Sequence, residues 1–177
     1  MIRVTSQYNV FAYGGLLGID VGATTGYAYA NPSKELCELG LIKLTSQAKG
    51  FKKLSTARAD LATVLDLTRP SVVVIEGALA SGKGFGGAAS KIELHGVYKL
   101  ALEEYGKARL EVIYPSSLKK FMTGHGRSSK DLVREAVNDH YPEAEFVTHD
   151  QSDAAALVIW GLAEKFQSPG QCSLNFN

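Results

Sequence analysis

The sequence predicts an α/β fold in which a mixed five-stranded sheet, three antiparallel strands followed by two parallel ones, is flanked by helices. Three short strand patterns lie close together before residue 45, which favours an antiparallel meander. Two further strand patterns alternate with helical patterns, as is typical of parallel crossovers. Two strands end in a carboxylate, Asp20 and Glu76. In sheets of this kind, sites form outside the carboxyl ends of the strands.

The first three strands are read from short apolar runs near the start of the chain. Residues 15–20 form an apolar run that ends in Asp20, which predicts a buried strand. Residues 26–30 and 38–44 predict the second and third strands, and residues 31–34 predict a turn that contains proline.

The middle of the chain predicts a helix, a strand and a second helix. Apolar residues recur at helical spacing over residues 50–67. Residues 72–75 form a continuous β-branched run, typical of a strand buried on both faces, and the run ends at Glu76. A glycine-rich loop is predicted at residues 81–87, followed by a helix from about 88 to 105.

The last third of the chain predicts one strand and three helices. Residues 110–114 predict the fifth strand, and the proline that follows ends it. Short helices are predicted at residues 116–122 and 128–140, and the last helix from about 152 to 166.

Length and composition indicate a single globular domain over residues 1–177, with an N-terminal extension at 1–14 and a tail at 167–177. Hydrophobic residues make up 45% of the chain and charged residues 21%. The net charge of +1 neither demands nor excludes a nucleic-acid partner. No apolar run approaches the roughly 20 residues of a membrane span. The two cysteines lack metal-ligand spacing, which favours a reducing, cytoplasmic location over a disulfide framework.

Two more acids precede the predicted last helix. Asp150 and Asp153 are three residues apart, a spacing that places both on one helical face and near the positive end of the helix dipole. The small residues at 154–156 allow this helix to lie close to the sheet. We therefore expect these two acids to face Asp20 and Glu76.

Four carboxylates in this arrangement predict a divalent-metal site. Carboxylates next to apolar strands are costly unless a cation offsets their charge, and Mg²⁺ prefers such oxygen ligands. Taken singly, Asp20 is a turn residue, Glu76 a solvent-facing strand end, and Asp150 or Asp153 a helix N-cap. Their combination at two strand ends and one helix start favours the metal site. His149 is either a metal neighbour or general base, or a plain polar neighbour.

Basic residues are concentrated in the middle of the chain. Residues 83–134 contain ten Lys or Arg and five acids, whereas residues 135–164 contain seven acids and no Lys or Arg. This asymmetry predicts a phosphate-binding surface beside an acidic pocket. The strongest candidates flank a Gly-x-Gly loop and lie at predicted helix starts, namely Lys119, Lys120, Arg127 and Lys130. A solvated mixed surface is the alternative.

The glycine-rich loop lacks the Gly-Lys-Ser/Thr ending of a phosphate-binding P-loop. We interpret it as a loop that orders on DNA, in which Lys83 contacts phosphate and Phe85 stacks on or wedges between bases. A plain mobile loop fits the pattern equally well. His125 is a weaker candidate for a phosphate contact.

These segments together resemble the RuvC family of Holliday junction resolvases, over residues 15–166 in order. The resemblance lies in GIDVG and TGY near the first acid, VIE at the second, and KIELHGV, YPSSLKK, GHGRSSK and DQSDAAAL beyond it. The usual proline after the first acid is Val21 here. The glycine-rich loop stands where bacterial members carry an aromatic residue near the junction centre. Phage and viral members diverge in these ways, so the pattern is consistent with such an origin.

The resemblance implies a ribonuclease H-like fold and a homodimer formed through the helix at about 88–105. It implies cleavage of four-way or branched DNA with two Mg²⁺ or Mn²⁺ ions per active site. The family's catalytic acids match Asp20, Glu76, Asp150 and Asp153, with Asp20 shared by both ions. Its basic residues near the scissile phosphate match Lys119 and Lys130, and Lys130 neutralises charge that develops on the phosphate.

Three alternatives stay open from the sequence. A YqgF-like relative shares the fold but processes RNA. An actin-like ATP-binding module also begins with a strand that ends in Asp-x-Gly, although it needs a longer chain. A non-catalytic junction-binding protein is the third, and the complete set of acids argues against it.

Overall fold

The chain folds around a mixed sheet of five strands in the computed structural model, which describes residues 14–44, 50–77 and 85–166. The strands are β1 (Leu16–Asp20), β2 (Thr24–Ala30), β3 (Leu36–Lys43), β4 (Val72–Glu76) and β5 (Arg109–Ile113). Their order across the sheet is β3-β2-β1-β4-β5. The first three strands pair antiparallel, and β4 pairs parallel with both β1 and β5. The predicted fold class is confirmed.

The described residues also form five helices. They are α1 (Phe51–Thr68), α2 (Phe85–Tyr105), α3 (Pro115–Thr123), α4 (Lys130–His140) and α5 (His149–Glu164). Proline opens α3, and Gly124 closes it in the left-handed region at φ 80°. The Ser129 side chain caps α4 by accepting a hydrogen bond from the Leu132 amide. None of these five helices has the length and apolar character needed to cross a membrane.

Helix α5 begins at His149, three residues before the predicted start at 152. A capping box explains the difference. The Thr148 hydroxyl accepts a hydrogen bond from the Gln151 amide at 3.3 Å. The Gln151 side-chain oxygen in turn accepts one from the Thr148 amide at 3.2 Å. The helix therefore starts within a polar segment that hydrophobic spacing alone assigns to a loop.

Several sequence predictions concern segments that the structure describes only in part. The prediction of a loop is wrong for residues 85–87, because α2 begins at residue 85 and includes them. Residues 81–84 lie outside the described residues. The predicted extension, apart from its last residue, and the predicted tail at 167–177 lie outside them as well.

The central strands of the sheet are buried on both faces, as predicted for β4. Alternate residues of each strand point to opposite faces. Leu16 of β1 packs on the face covered by α5, and Leu17 packs on the face covered by α1 and α2. In β4, Val74 belongs to the first of these layers and Val73 to the second. The continuous β-branched run of β4 is thus explained by apolar contacts on both of its sides.

Helix α5 lies unusually close to the sheet, and two glycines make this approach possible. A Cβ atom on Gly18 of β1 would overlap the backbone carbonyl of Ala154. A Cβ atom on Gly26 of β2 would overlap the backbone of Asp150. The alanines at 154–156 are fully buried, which confirms that small residues let the helix approach. This packing fixes the first turns of α5 over the carboxyl end of β1.

Candidate active site

Four carboxylates carried by three elements line one cavity of about 560 Å³. Asp20 and Glu76 are the last residues of the neighbouring parallel strands β1 and β4. Asp150 and Asp153 lie in the first two turns of α5, which packs against β1. The structure therefore brings together all four acids that the sequence selects. Their role as metal ligands stays a prediction.

Lysines contact two of the four acids. The Lys130 ammonium, at the start of α4, lies 2.7 Å from Asp153 Oδ2. The Lys91 ammonium, on α2, lies 3.5 Å from Glu76 Oε2. Both lysines line the cavity together with Lys119. The cavity thus combines carboxylates at its inner end with ammonium groups contributed by the helices around it.

The electrostatics of the cavity favour added positive charge. Burial, followed by the charges of Asp153 and Glu76, raises the pKa of Asp20 to about 7 against the opposing effect of Lys91 and Lys130. Burial also raises the pKa of Glu76, partly offset by Lys91. For Lys130 burial is the largest single influence and acts to lower the pKa, but the hydrogen bond to Asp153 and the charges of the neighbouring acids together outweigh it, and the pKa is raised.

The donor set fits a hard divalent cation such as Mg²⁺ or Mn²⁺. All four acidic side chains offer oxygen ligands. Burial makes the charged form of Asp20 unfavourable, and a bound cation removes that cost. Within the described ranges, no three His, Cys, Asp or Glu side chains are clustered tightly enough to hold an ion by themselves. Mg²⁺ commonly binds through one or two carboxylates, with water and substrate phosphate completing its shell. The arrangement therefore suits ions that are completed by substrate.

A buried hydrogen-bond chain holds the loop between β1 and β2 that lines the cavity. The Thr25 hydroxyl donates to the Gly22 carbonyl at 2.9 Å and accepts from the Gly22 amide at 3.3 Å. The Tyr98 hydroxyl of α2 donates to the same Thr25 oxygen at 3.1 Å. Thr25 and Tyr98 are fully buried. Helix α2 thereby positions the backbone that directly follows Asp20.

The predicted phosphate-binding residues fall into two groups. Lys119 lines the cavity, and its ammonium donates to the Ser128 carbonyl at 2.7 Å, which ties α3 to the loop before α4. Lys120 and Arg127 are exposed and do not line the cavity. Lys83 and the side chain of Phe85 lie outside the described residues.

The two histidines singled out from the sequence lie apart from the acids that line the cavity. His149 Nε2 lies 3.8 Å from Asp131 Oδ1 of α4, and its ring is not among the cavity's lining groups. His125 is exposed, and its backbone carbonyl accepts a hydrogen bond from the Ser128 hydroxyl at 2.9 Å. Neither placement supports a direct metal contact.

Two residues that shape the site were not predicted from the sequence: Lys91, which lines the cavity, and Tyr98, which bonds to Thr25 behind it. Lys91 shares one face of α2 with Leu94 and Tyr98, both of which are fully buried. A lysine on the core-facing side of a helix is the signal that could have identified it. Tyr98 carried no separate signal, because a buried tyrosine at helical spacing is ordinary core.

Comparisons with known proteins find crossover junction endodeoxyribonucleases among the relatives of this chain. No family model matches the chain. A crossover junction endodeoxyribonuclease RuvC from Treponema denticola is 32% identical over 126 residues, which cover 69% of this chain and 70% of that protein. The RuvC of Dictyoglomus thermophilum is 28% identical over 149 residues, which cover 81% of this chain and 93% of that protein.

Solved structures match the fold. The T. thermophilus RuvC in complex with Holliday junction substrate superposes with a TM-score of 0.72 at 21% identity, over 82% of this chain and 90% of that one. The yeast mitochondrial Holliday junction resolvase superposes with a TM-score of 0.56 at 15% identity, over 85% of this chain and 79% of that one.

The sheet order and these superpositions define a ribonuclease H-like fold. The chain belongs to the RuvC family of crossover junction endodeoxyribonucleases. Nucleases of this family are metal-dependent in general. Family membership favours the resolvase interpretation over the RNA-processing, ATP-binding and non-catalytic alternatives.

Proposed function

We propose that this chain resolves four-way or related branched DNA junctions by metal-dependent hydrolysis, at the cavity lined by Asp20, Glu76, Asp150 and Asp153. The convergence of these four carboxylates from two strand ends and one helix is the observation that carries the proposal. Membership of the RuvC family supports the junction as the substrate. The proposal includes one nuclease domain over residues 1–177, with an N-terminal extension at 1–14 and a tail at 167–177.

The four acids would hold two Mg²⁺ or Mn²⁺ ions, with Asp20 shared between them. When bound, such ions make a water more acidic and offset charge on the phosphate oxygens. Asp20 is the central ligand in this proposal because its burial and its acidic neighbours give it the strongest need for a cation. Hydrolysis adds water across one phosphodiester bond and leaves 5′-phosphate and 3′-hydroxyl ends.

Lys130 and Lys119 are placed to act on the phosphate. Lys130 holds Asp153 in position, and its exposed ammonium lies at the cavity where it can offset charge that develops on the phosphate. Lys119 fixes the loop before α4 and lines the same cavity. Lys120 and Arg127 extend the basic surface away from the cavity and would bind flanking phosphates.

Dimerisation through α2 completes the proposal, because a two-fold dimer places two sites on two strands of a near-symmetric junction. Ile92 and Leu100 are 50% and 55% exposed on the outer face of α2. Gly96 lies between them with open space around it. An apolar stripe around a small residue suits close contact with the same helix of a second copy.

The experiment is a cleavage panel with Mg²⁺ and with Mn²⁺. The substrates are a four-way junction, a three-way junction, a flap, linear duplex DNA and a structured RNA of matched sequence. We expect metal-dependent paired nicks in the four-way junction and much slower cutting of linear DNA. Faster cutting of the RNA than of any branched DNA would contradict the proposal.

A further inference from the structure

Lys91 is a cation inside the cavity to which neither the family resemblance nor the proposed hydrolysis assigns a role. We infer that Lys91 lowers the affinity of the DNA-free protein for divalent cations, because its ammonium group pairs with the Glu76 carboxylate. When substrate enters, the ammonium group leaves Glu76 and pairs with a DNA phosphate. The inference rests on the proposed function, since it requires Glu76 to be a metal ligand. It would make full metal loading depend on the presence of DNA.

The packing of α2 against the core fixes the position of Lys91. Leu94 and Tyr98, which follow it on the same face of α2, are 1% and 0% exposed. The Lys91 side chain is 38% exposed, and its ammonium lies 3.5 Å from the Glu76 carboxylate. The aliphatic part of the side chain thus follows the core-facing side of α2 while its charged end reaches the cavity.

A cation at this place has two opposite effects on ligands. A divalent ion bound to Glu76 would lie a few ångströms from the ammonium group and be repelled by it, which weakens metal binding in the absence of DNA. A phosphate entering the same cavity would be attracted to that group. Binding of DNA and binding of metal would therefore strengthen each other, because DNA offers Lys91 another anion and frees Glu76.

The test measures both ligands separately. We expect Lys91→Met to bind Mn²⁺ about 3- to 10-fold more tightly than wild type without DNA, by electron paramagnetic resonance of free Mn²⁺. The same variant should bind a four-way junction about 2- to 5-fold more weakly in EDTA. A merely structural role would weaken both, whereas opposite changes identify competition for Glu76. Lys91→Arg keeps the charge and should leave Mn²⁺ affinity within about 2-fold of wild type.

Lys99→Met is the matched control. Lys99 lies two turns further along α2, is exposed, and is not among the residues that line the cavity. Its loss removes the same charge from the same helix, so we expect Mn²⁺ affinity within about 1.5-fold of wild type. An equal gain in both methionine variants would attribute the effect to overall charge and would overturn the inference.

Asp20→Asn separates failure of this inference from failure of the proposed function. If Asp20→Asn weakens Mn²⁺ binding but Lys91→Met leaves it unchanged or weaker, the metal site stands and the role of Lys91 is overturned. If Asp20→Asn leaves Mn²⁺ binding unchanged, the proposed metal site itself fails. Circular dichroism melting of each variant shows that the compared proteins are folded.

Discussion

Asp20 is the acid whose surroundings oppose its charge most strongly. It ends a buried strand, and burial together with Asp153 and Glu76 raises its pKa to about 7 against an ordinary value of 3.8. The folded protein therefore binds a proton at Asp20 more readily than the unfolded chain does. Its contribution to stability is fully present below about pH 4 and is lost as the pH rises through about 7.

Asp20→Asn should stabilise the metal-free protein at high pH, because the amide carries no charge. The difference between the pKa of Asp20 in the folded protein and in the unfolded chain corresponds to a gain of about 2 to 4 kcal/mol in the unfolding free energy of the variant at pH 8. At pH 4 the gain is much smaller. Urea unfolding in EDTA across this pH range measures it. Equal or lower stability of the variant at pH 8 would contradict the electrostatic description of the site.

Tyr98 acts on the loop after Asp20 through Thr25, so it is a positioning residue. Tyr98→Phe removes one buried hydrogen bond, and we expect a loss of about 1 kcal/mol in unfolding free energy and a 3- to 10-fold fall in kcat. Tyr29→Phe is the control, since its hydroxyl donates to the Gly14 carbonyl at 3.0 Å, at the opposite end of β1. That variant should lose similar stability and keep its kcat. Equal loss of kcat in both variants would mean that Tyr98 acts only through stability.

At the scale of elements, the close approach of α5 to the sheet sets the position of Asp150 and Asp153. Gly26 is the point of closest approach, because any side chain there would meet the backbone of Asp150. The helix and the two acids it carries are thus placed by contacts between backbone atoms, which tolerate little adjustment.

Gly26→Ala should displace the start of α5. We expect a loss of about 2 to 4 kcal/mol in unfolding free energy and loss of cleavage in the fraction that remains folded. Gly96→Ala adds the same methyl group where nothing in the same chain lies within 4 Å. In a Leu100→Glu background, which removes the proposed dimer contact beside Gly96, it should stabilise α2 by a few tenths to about 1 kcal/mol. Full activity in Gly26→Ala would show that the position of α5 is not critical.

The sequence was sufficient to predict all five strands and the convergence of the four acids, because strand ends and hydrophobic periodicity are local signals. The predicted start of α5 was wrong because the first turn of the helix is polar. Thr148 and Gln151 have the spacing of a capping box, which is the signal that marks the true start. The contact of Lys91 with Glu76 could not be predicted, since it depends on how α2 lies across the sheet. No local pattern encodes that angle.

At the scale of the whole molecule, the proposed activity on two strands requires two copies of the chain. The apolar stripe on α2 is the proposed contact, and Leu100 is its most exposed large residue. Leu100→Glu should convert the dimer to a monomer that keeps its fold, as measured by sedimentation equilibrium. A monomeric wild-type protein, or a dimer that is unaffected by the substitution, would place the contact elsewhere.

The central claim is that the four carboxylates bind the metal that cleaves junction DNA. Single-turnover cleavage of a four-way junction in Mg²⁺, by wild type and by Asp20→Asn, tests it most directly. We expect the variant to cleave at least about 1000-fold more slowly while binding the junction within about 2-fold of wild type. Cleavage by Asp20→Asn at the wild-type rate would contradict the assignment of this cavity as the active site.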